Sequence, residues 1–200
     1  MDNRPPSRSP SMPPSLPRLE RDVHWYSRGY LPHCDAAGAV QMLTFRLANA
    51  LPEHVVQRIR EDPLCRTDQD RWERMQAYLD AEHGACYLRE ARVATLVENA
   101  LLFFDAERHR LLAWSVMPSH VHTLIETREG HPLEEVTHSW KSYTGSEANK
   151  LLHRRGRFWQ HECFDRYIRN MWHFQVAVEY IDGNTSLFSS ARRIREGIDR

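Results

Sequence analysis

The stretch RLLAWSVMPSHVHTLIET, residues 110–127, consists of two short apolar runs joined by Met-Pro-Ser. Each run has the length and the β-branched and aromatic content of a strand, and the proline before a serine is typical of a tight connection. The stretch therefore predicts two strands, roughly 110–116 and 120–127, paired as an antiparallel hairpin. Its unusual feature is that His120 and His122 lie inside the second apolar run.

The rest of the chain alternates between strand-like and helix-like periods. Apolar residues recur at helical spacing in five segments, whereas 39–48 and 163–169 have the pattern of further strands. The predicted helices cover about 52–62, 68–82, 90–105, 131–156 and 171–182. Strands separated by helices and joined by at least one hairpin predict an α+β fold, a ferredoxin-like sandwich with helices packed on one face of a mainly antiparallel sheet.

The composition is that of one ordinary soluble domain with short appendages. Of the 200 residues, 41% are hydrophobic and 27% are charged. No apolar run approaches the roughly 20 residues that cross a bilayer. The first twenty residues hold six of the eleven prolines among serines and arginines, a composition that does not bury a core. We expect a disordered segment at 1–20, a domain at 21–184, a polar tail at 185–200 and a cytoplasmic protein.

Two further features of the composition limit the function. The four cysteines are widely separated and form no C-x-x-C pair, so they indicate neither a zinc knuckle nor a disulfide framework. The 27 basic residues equal the 27 acidic ones. This balance argues against a protein that coats nucleic acid by bulk charge, but it leaves room for a local basic groove.

The two histidines of the hairpin are candidate metal ligands. Because His120 and His122 are two residues apart, their side chains project from the same face of a strand. Two adjacent imidazoles can share one divalent ion through a nitrogen each and leave positions open for substrate oxygens. The same spacing also arises from simple polar alternation on an edge strand. Spacing alone leaves both interpretations open.

The residues around the histidines resemble a known family. VMPSHVHTLI, residues 116–125, resembles the signature of the His-hydrophobe-His motif in single-tyrosine HUH transposases, which are IS200-like, and in particular the REP-associated tyrosine transposases of bacteria. WKSYT at 140–144, GRFWQHECFDRYIRN at 156–170 and HFQVAVEYIDGN at 173–184 follow in the order and spacing of that family. Upstream, LPHCDAAGAVQMLTFRLANALP resembles its first strand, so the resemblance covers most of residues 28–184.

The resemblance implies an enzyme that cuts single-stranded or hairpin DNA with a tyrosine and leaves a 5′-phosphotyrosine and a free 3′-hydroxyl. It implies that Tyr180 is the nucleophile. It also implies that His120 and His122, with Asn184 as a further ligand, bind a Mg²⁺ or Mn²⁺ ion. A phenol with a pKa of about 10 is a poor nucleophile, so polarisation of the phosphate by that ion would assist the attack. The implied partner is DNA, with no membrane, and the active protein is a monomer or a homodimer.

Other tyrosines compete with Tyr180 for the role of nucleophile. Tyr180 itself also fits the apolar stripe of its helix, although Asn184 four residues later would share its helical face. Tyr143 follows a tryptophan expected to be buried, and Tyr167 lies in a predicted strand. Both rivals therefore suit packing or DNA contact better than catalysis.

A basic segment that also contains aromatic residues predicts the DNA surface. Between residues 141 and 169, seven Lys or Arg stand against three acidic residues, with several aromatic residues among them. Basic residues hold phosphates and aromatic rings stack on unpaired bases, although a solvated helix end followed by core aromatics has the same composition. The predicted DNA-binding residues are Lys141, Lys150, Arg154, Arg155, Arg157, Trp159, Arg166 and Arg169.

The chain departs from the family pattern after Asn184. Members commonly continue with NPVKAGL, whereas this chain has NTSLFSS at 184–190 and lacks the proline. A catalytically inactive module of the same fold that recognises palindromic or hairpin DNA is therefore the main alternative. A protein-interaction or RNA-binding domain of ferredoxin-like shape rests on fold analogy alone.

Overall fold

The computed structural model describes residues 24–27, 32–35, 38–184 and 192–194. The predicted disordered segment 1–20 and most of the predicted tail 185–200 lie outside these residues. The strands are β1 (His24–Ser27), β2 (Pro32–Asp35), β3 (Val40–Arg46), β4 (His109–Val116), β5 (His120–Thr127), β6 (Phe164–Tyr167) and β7 (Arg192–Ile194). The helices are α1 (Glu53–Glu61), α2 (Asp68–Asp80), α3 (Ala91–Phe103), α4 (Leu133–Leu151) and α5 (Met171–Asn184), with a 3₁₀ turn at Tyr87–Arg89.

The main sheet has the strand order β6-β3-β5-β4-β7, and every neighbouring pair in it is antiparallel. β1 and β2 form a separate two-stranded pair. The predicted hairpin is β4 and β5, and its tight connection is closed by the Met117 amide, which donates to the His120 carbonyl over 2.9 Å. The α+β class and the antiparallel sheet predicted from the sequence are confirmed.

Helix starts follow the residues that satisfy free backbone amides. α2 begins after Thr67, whose hydroxyl accepts from the Asp70 amide while the Asp70 carboxylate accepts from the Thr67 amide. This reciprocal capping box stabilises the first turn. α1 begins after Pro52, which suits a helix start because proline has no amide proton to satisfy.

One face of the sheet is covered by α1, α3 and α4. Alternate residues of β3 and β5, such as Phe45, Val121 and Ile125, point to this face and belong to the larger apolar core. Trp140 from α4 stacks against Phe45 with ring centroids 6.3 Å apart. The expected packing of helices on one face holds for these three helices.

The opposite face carries a second, smaller core under α5. Val40, Met42 and Leu124 of the sheet pack there with Ala177 and Ile181 of α5. β3 and β5 are buried on both faces, so the second face also needs a helical cover. His120 and His122 alternate with Val121 and therefore lie on the α5 side of the sheet. No helix of the described residues is both long and apolar enough to cross a membrane.

Candidate active site

The two histidines of β5 form the centre of the site. Both side chains are fully buried, and their Nε2 atoms lie 3.0 Å apart. The rings meet edge to face, with centroids 4.6 Å apart. Both imidazoles thus turn the same nitrogen towards one point, which simple polar alternation on an exposed edge would not require.

Hydroxyl groups orient both imidazoles from behind. Ser119 Oγ lies 3.0 Å from His120 Nδ1, and Thr44 Oγ1 on the neighbouring strand β3 lies 2.8 Å from His122 Nδ1. A partner on Nδ1 sets the ring orientation and leaves Nε2 for a ligand, which is the usual arrangement around metal-bound histidines. The pairing of β3 with β5 places Thr44 directly opposite His122.

Burial keeps the two imidazoles uncharged. Loss of hydration lowers the pKa of His120 to about 3. The pKa of His122 is held well below its ordinary value by burial first and by the charge of His120 second. Both rings are therefore neutral at neutral pH, which is the protonation state that binds metal ions.

Tyr180 reaches the histidines from α5. Its ring lies edge to face on the His122 ring with centroids 5.1 Å apart, and its hydroxyl donates to Gln76 Oε1 over 3.4 Å. Burial raises the pKa of the Tyr180 phenol to about 12, with a smaller contribution from the charge of Asp80. The predicted nucleophile and the predicted ligands thus lie together, with the phenol in its protonated form.

Asn184 lies one turn after Tyr180 at the end of α5. The Asn184 side chain partly opposes the upward shift in the pKa of Tyr180, because a nearby amide donor favours the ionised phenol, although its Nδ2 makes no hydrogen bond within the described residues. The two residues therefore lie close together, as their spacing of four predicted. The assignment of Asn184 as a metal ligand stays a prediction.

Two residues of the site come from α2 and were not foreseen. Gln76 is buried and contacts the Tyr180 hydroxyl, and Asp80 Oδ1 lies 3.6 Å from His120 Nε2. Burial raises the pKa of the Asp80 carboxyl. Trp72, which also contacts Tyr180, precedes Gln76 and Asp80 at intervals of four residues. That i, i+4, i+8 spacing was the available signal, since it puts all three side chains on one helical face.

The histidine pair fits a divalent ion. Two adjacent ligands held about 2.1 Å from one ion at a right angle are separated by about 3.0 Å, and the two Nε2 atoms have that separation. Within residues 38–184, no third His, Cys, Asp or Glu already completes a ligand set. The pair thus offers two ligands and needs further oxygen donors.

The rival tyrosines lie away from this site. Tyr143 is 55% exposed on α4 and therefore on the side of the sheet opposite to the histidines. Tyr167 pairs with Gln41, an odd-numbered residue of β3. Odd-numbered residues of β3, such as Phe45, point to the α4 side of the sheet, whereas Thr44, opposite His122, points to the α5 side. Neither hydroxyl is placed to act beside the imidazoles.

The predicted basic DNA-binding residues divide by their contacts. Arg155, Arg157, Arg166 and Arg169 are exposed, as is Lys150. Three of the basic side chains, Lys150 among them, contact the protein itself. Lys141 Nζ donates to the His161 carbonyl over 2.6 Å, Lys150 Nζ pairs with Glu147, and the Arg154 guanidinium lies 4.4 Å above the Tyr87 ring.

The prediction that Trp159 binds DNA is wrong. Its side chain is only 4% exposed, its ring packs edge to face on Phe45, and its Nε1 donates to Thr144 Oγ1 over 2.8 Å. A ring enclosed in this way has no free face on which a base can stack. Trp159 belongs to the core between β3 and α4. This agrees with the alternative interpretation of the basic segment, a solvated helix end followed by core aromatics.

Known proteins bear on this arrangement of residues. Residues 90–184 match the sequence model of the family described as IS200-like transposases. A solved REP-associated tyrosine transposase bound to a REP hairpin is 17% identical, with a TM-score of 0.46, and the match covers 83% of this chain and 74% of that one. A protein assigned as a transposase from Deinococcus radiodurans R1 is 14% identical, with a TM-score of 0.32 and coverage of 80% and 96%. No curated protein matches the chain.

The family match spans both halves of the site. It begins before α3 and ends with α5, so it contains the histidine pair of β5 as well as Tyr180 and Asn184. Thr44, Gln76 and Asp80 precede it in the chain. The match of residues 90–184 to the model of IS200-like transposases agrees with the resemblance of the motifs around His120 and Tyr180.

Proposed function

We propose that the protein is a metal-dependent transposase that cuts and rejoins single-stranded or hairpin DNA through a 5′-phosphotyrosine at Tyr180. The observation that carries this proposal is the packing of the Tyr180 ring on the His122 ring, with centroids 5.1 Å apart. Phosphoryl transfer needs the nucleophile and the groups that bind the phosphate at one point. The residues of β5 and α5 meet that requirement on a single face of the sheet.

In the cleavage step, the Tyr180 hydroxyl oxygen attacks the phosphorus of the scissile phosphodiester. The bond between that oxygen and phosphorus forms, and the bond from phosphorus to the 3′-oxygen breaks. The phenol loses its proton to solvent, and the departing 3′-oxygen takes one up. The 5′ end stays attached to Tyr180, and attack by a 3′-hydroxyl on this phosphotyrosine reverses the step and rejoins a strand.

Neighbouring residues hold the nucleophile in place. Gln76 accepts the hydrogen bond of the Tyr180 hydroxyl and so directs the oxygen, while Asn184 favours the ionised phenol. Because burial raises the pKa of Tyr180 to about 12, the phenol does not ionise by itself at neutral pH. The reaction therefore needs a more electrophilic phosphate.

His120 and His122, with Asn184 as a further ligand, would hold the Mg²⁺ or Mn²⁺ ion. When bound, such an ion supplies Lewis-acid polarisation of a non-bridging phosphate oxygen. The chain keeps both imidazoles neutral by burial and oriented by hydroxyl partners, so little reorganisation is needed for binding.

Exposed arginines of the second half support DNA as the substrate. Arg155 and Arg157 follow α4, and Arg166 lies on β6. Arg166 pairs with Met42, a residue of the α5-side core, so its side chain leaves the sheet on the same face as His122. We expect Arg166 to contact the DNA backbone beside the site and the other two to contact flanking phosphates.

A DNA-binding module without catalysis is the second candidate function. The observation that favours it is the protonated, hydrogen-bonded state of Tyr180, whose pKa of about 12 makes it a weak nucleophile. Such a protein would bind hairpin DNA and leave it intact.

Covalent capture separates the two functions. We would incubate the protein with end-labelled single-stranded hairpin DNA and Mn²⁺ and look for a protein-DNA adduct on a denaturing gel. The transposase proposal predicts an adduct that EDTA prevents and that Tyr180→Phe abolishes. Tyr143→Phe is the matched control, because this exposed tyrosine lies on the other side of the sheet and its loss should leave the adduct unchanged.

Each alternative outcome has a distinct meaning. Binding of the hairpin without any adduct in the wild type would favour the binding module. An adduct that persists in Tyr180→Phe and disappears in Tyr143→Phe would show that the nucleophile had been assigned to the wrong tyrosine.

A further inference from the structure

Asp80 is an acidic residue of the site that the family motifs do not use. Its Oδ1 lies 3.6 Å from His120 Nε2, the same nitrogen that lies 3.0 Å from His122 Nε2. The charge of Asp80 also acts on the hydroxyl of Tyr180. Asp80 thus faces the point at which the two imidazoles and the phenol converge.

The position of Asp80 is electrostatically unfavourable by itself. It is the last residue of α2, where the helix dipole disfavours a negative charge, and the last turn of α2 contains no basic residue. The side chain is only 36% exposed, and among residues 38–184 its ion-pair contact is with His120. A carboxylate kept in such a place is the group that a bound cation would stabilise most.

We propose that Asp80 is a carboxylate ligand of the divalent ion held by His120 and His122, an inference that rests on the function proposed above. Two neutral imidazoles and an amide oxygen carry no negative charge, whereas Mg²⁺ and Mn²⁺ are hard cations that prefer carboxylate oxygens. Asp80 supplies the missing charge, and two histidines with one carboxylate form a compact set that leaves positions open for phosphate oxygens.

The observed spacing fits a ligand that moves inward when the ion binds. Adjacent ligands of one ion are separated by about 3.0 Å, and the Asp80 oxygen is slightly farther than that from His120 Nε2, at 3.6 Å. Asp80 stands at the end of its helix and is partly exposed, so its side chain has room to make this adjustment.

Mn²⁺ titration of the full-length protein tests the assignment without using activity. We would measure Mn²⁺ affinity by calorimetry and by the loss of the free-ion EPR signal for wild type, Asp80→Asn and Glu73→Gln. Glu73 is the matched control, since it is an exposed carboxylate on the same helix that accepts a hydrogen bond from Gln69. We expect Asp80→Asn to bind Mn²⁺ at least about tenfold more weakly and Glu73→Gln to bind as wild type does.

Unfolding without metal gives the second readout. The Asp80→Asn protein should be as stable as wild type in EDTA, or more stable, because an unfavourable charge has been removed. Mn²⁺ should then raise its melting temperature less than that of wild type. Reduced stability in EDTA together with unchanged Mn²⁺ affinity would identify Asp80 as a structural residue and overturn the proposal.

Two further results would also decide the matter. A wild-type protein that takes up no Mn²⁺ would overturn the Asp80 assignment, as would an Asp80→Asn variant that binds Mn²⁺ within twofold of wild type. In the latter case a normal adduct at Tyr180 would leave the transposase function intact. Conversely, weakened Mn²⁺ binding in Asp80→Asn without any adduct in the wild type would support the ligand and contradict the transposase function.

Discussion

The hydrogen bond between Thr44 and His122 is the contact by which the neighbouring strand orients the histidine pair. Thr44 is 5% exposed, and its Oγ1 lies 2.8 Å from Nδ1 of the fully buried His122. Thr44→Val keeps the shape of the side chain and removes the hydroxyl. The imidazole then has a buried nitrogen without its partner, which costs about 1–3 kcal/mol in the free energy of unfolding.

Thr123 provides a matched control in the same sheet. It is fully buried, lies next to His122 in the chain and points to the opposite face, and its Oγ1 has no hydrogen-bond partner among the described residues. Thr123→Val removes a hydroxyl that is buried without compensation, so this substitution should be neutral or stabilising. The two variants have the same change in atoms and differ only in whether the hydroxyl is bonded.

Urea unfolding in EDTA, followed by circular dichroism, measures the difference. With a slope of about 2 kcal/mol per M, the Thr44→Val midpoint should fall by about 0.5–1.5 M, and the Thr123→Val midpoint should stay or rise. Mn²⁺ affinity should decrease about ten- to hundredfold in Thr44→Val alone, because the ligand loses its orienting partner. Equal midpoints for the two variants, or unchanged Mn²⁺ affinity in Thr44→Val, would refute the argument that this hydroxyl orients His122.

Four other predictions concern charge and packing. The folded pKa of His120, about 3, lies below its unfolded value of about 6.5, so stability that is present above pH 6.5 is lost as the pH falls towards 3, by about 3 kcal/mol at pH 4.5. In urea unfolding with EDTA, the stability of His120→Gln should therefore depend less on pH than that of wild type. The same pH dependence in both proteins would contradict this prediction. The raised pKa of Tyr180 predicts that the difference in ultraviolet titration between wild type and Tyr180→Phe has its midpoint near pH 12. It also predicts that the free energy of unfolding falls as the pH rises from about 10 to 12. A titration midpoint near pH 10 would exclude a buried phenol. Trp159→Ala should destabilise the fold by about 3–5 kcal/mol in urea unfolding, whereas a surface role in base stacking would leave stability nearly unchanged. Arg155→Ala combined with Arg157→Ala should weaken hairpin binding and reduce its dependence on salt by about two phosphate contacts, and an unchanged salt slope would remove both from the DNA surface.

Elements with a strong local pattern were predicted from the sequence close to their observed bounds. The hairpin predicted at about 110–116 and 120–127 is β4 and β5, and the helix predicted at 171–182 is α5, which extends two residues farther to Asn184. In each case the alternation of apolar residues over one element is enough, because strand and helix periods differ. The cover of the second face of the sheet by α5 was not predicted, since periodicity along a strand does not say which helix covers each face.

The sequence predicted those residues of the candidate site that share one short motif, and it missed those that lie elsewhere in the chain. His120 and His122 lie side by side on one strand, and Tyr180 and Asn184 lie one turn apart on one helix, so short-range spacing placed each pair. Trp159 shows the limit of composition, since an aromatic residue between arginines fits both a DNA surface and a core. Its burial depends on Phe45, which belongs to a strand more than a hundred residues earlier in the chain.

By itself, the sequence determined the hairpin, the shared face of the two histidines and the helix that bears Tyr180, because each depends on residues within one or two turns or strands. Only the tertiary structure decided what surrounds them. Thr44 and His122 are separated by 78 residues, and Gln76 and Tyr180 by 104. These contacts depend on the register of β3 against β5 and on the packing of α2 beside α5, which follow from burial of the whole apolar surface and have no local pattern in the chain.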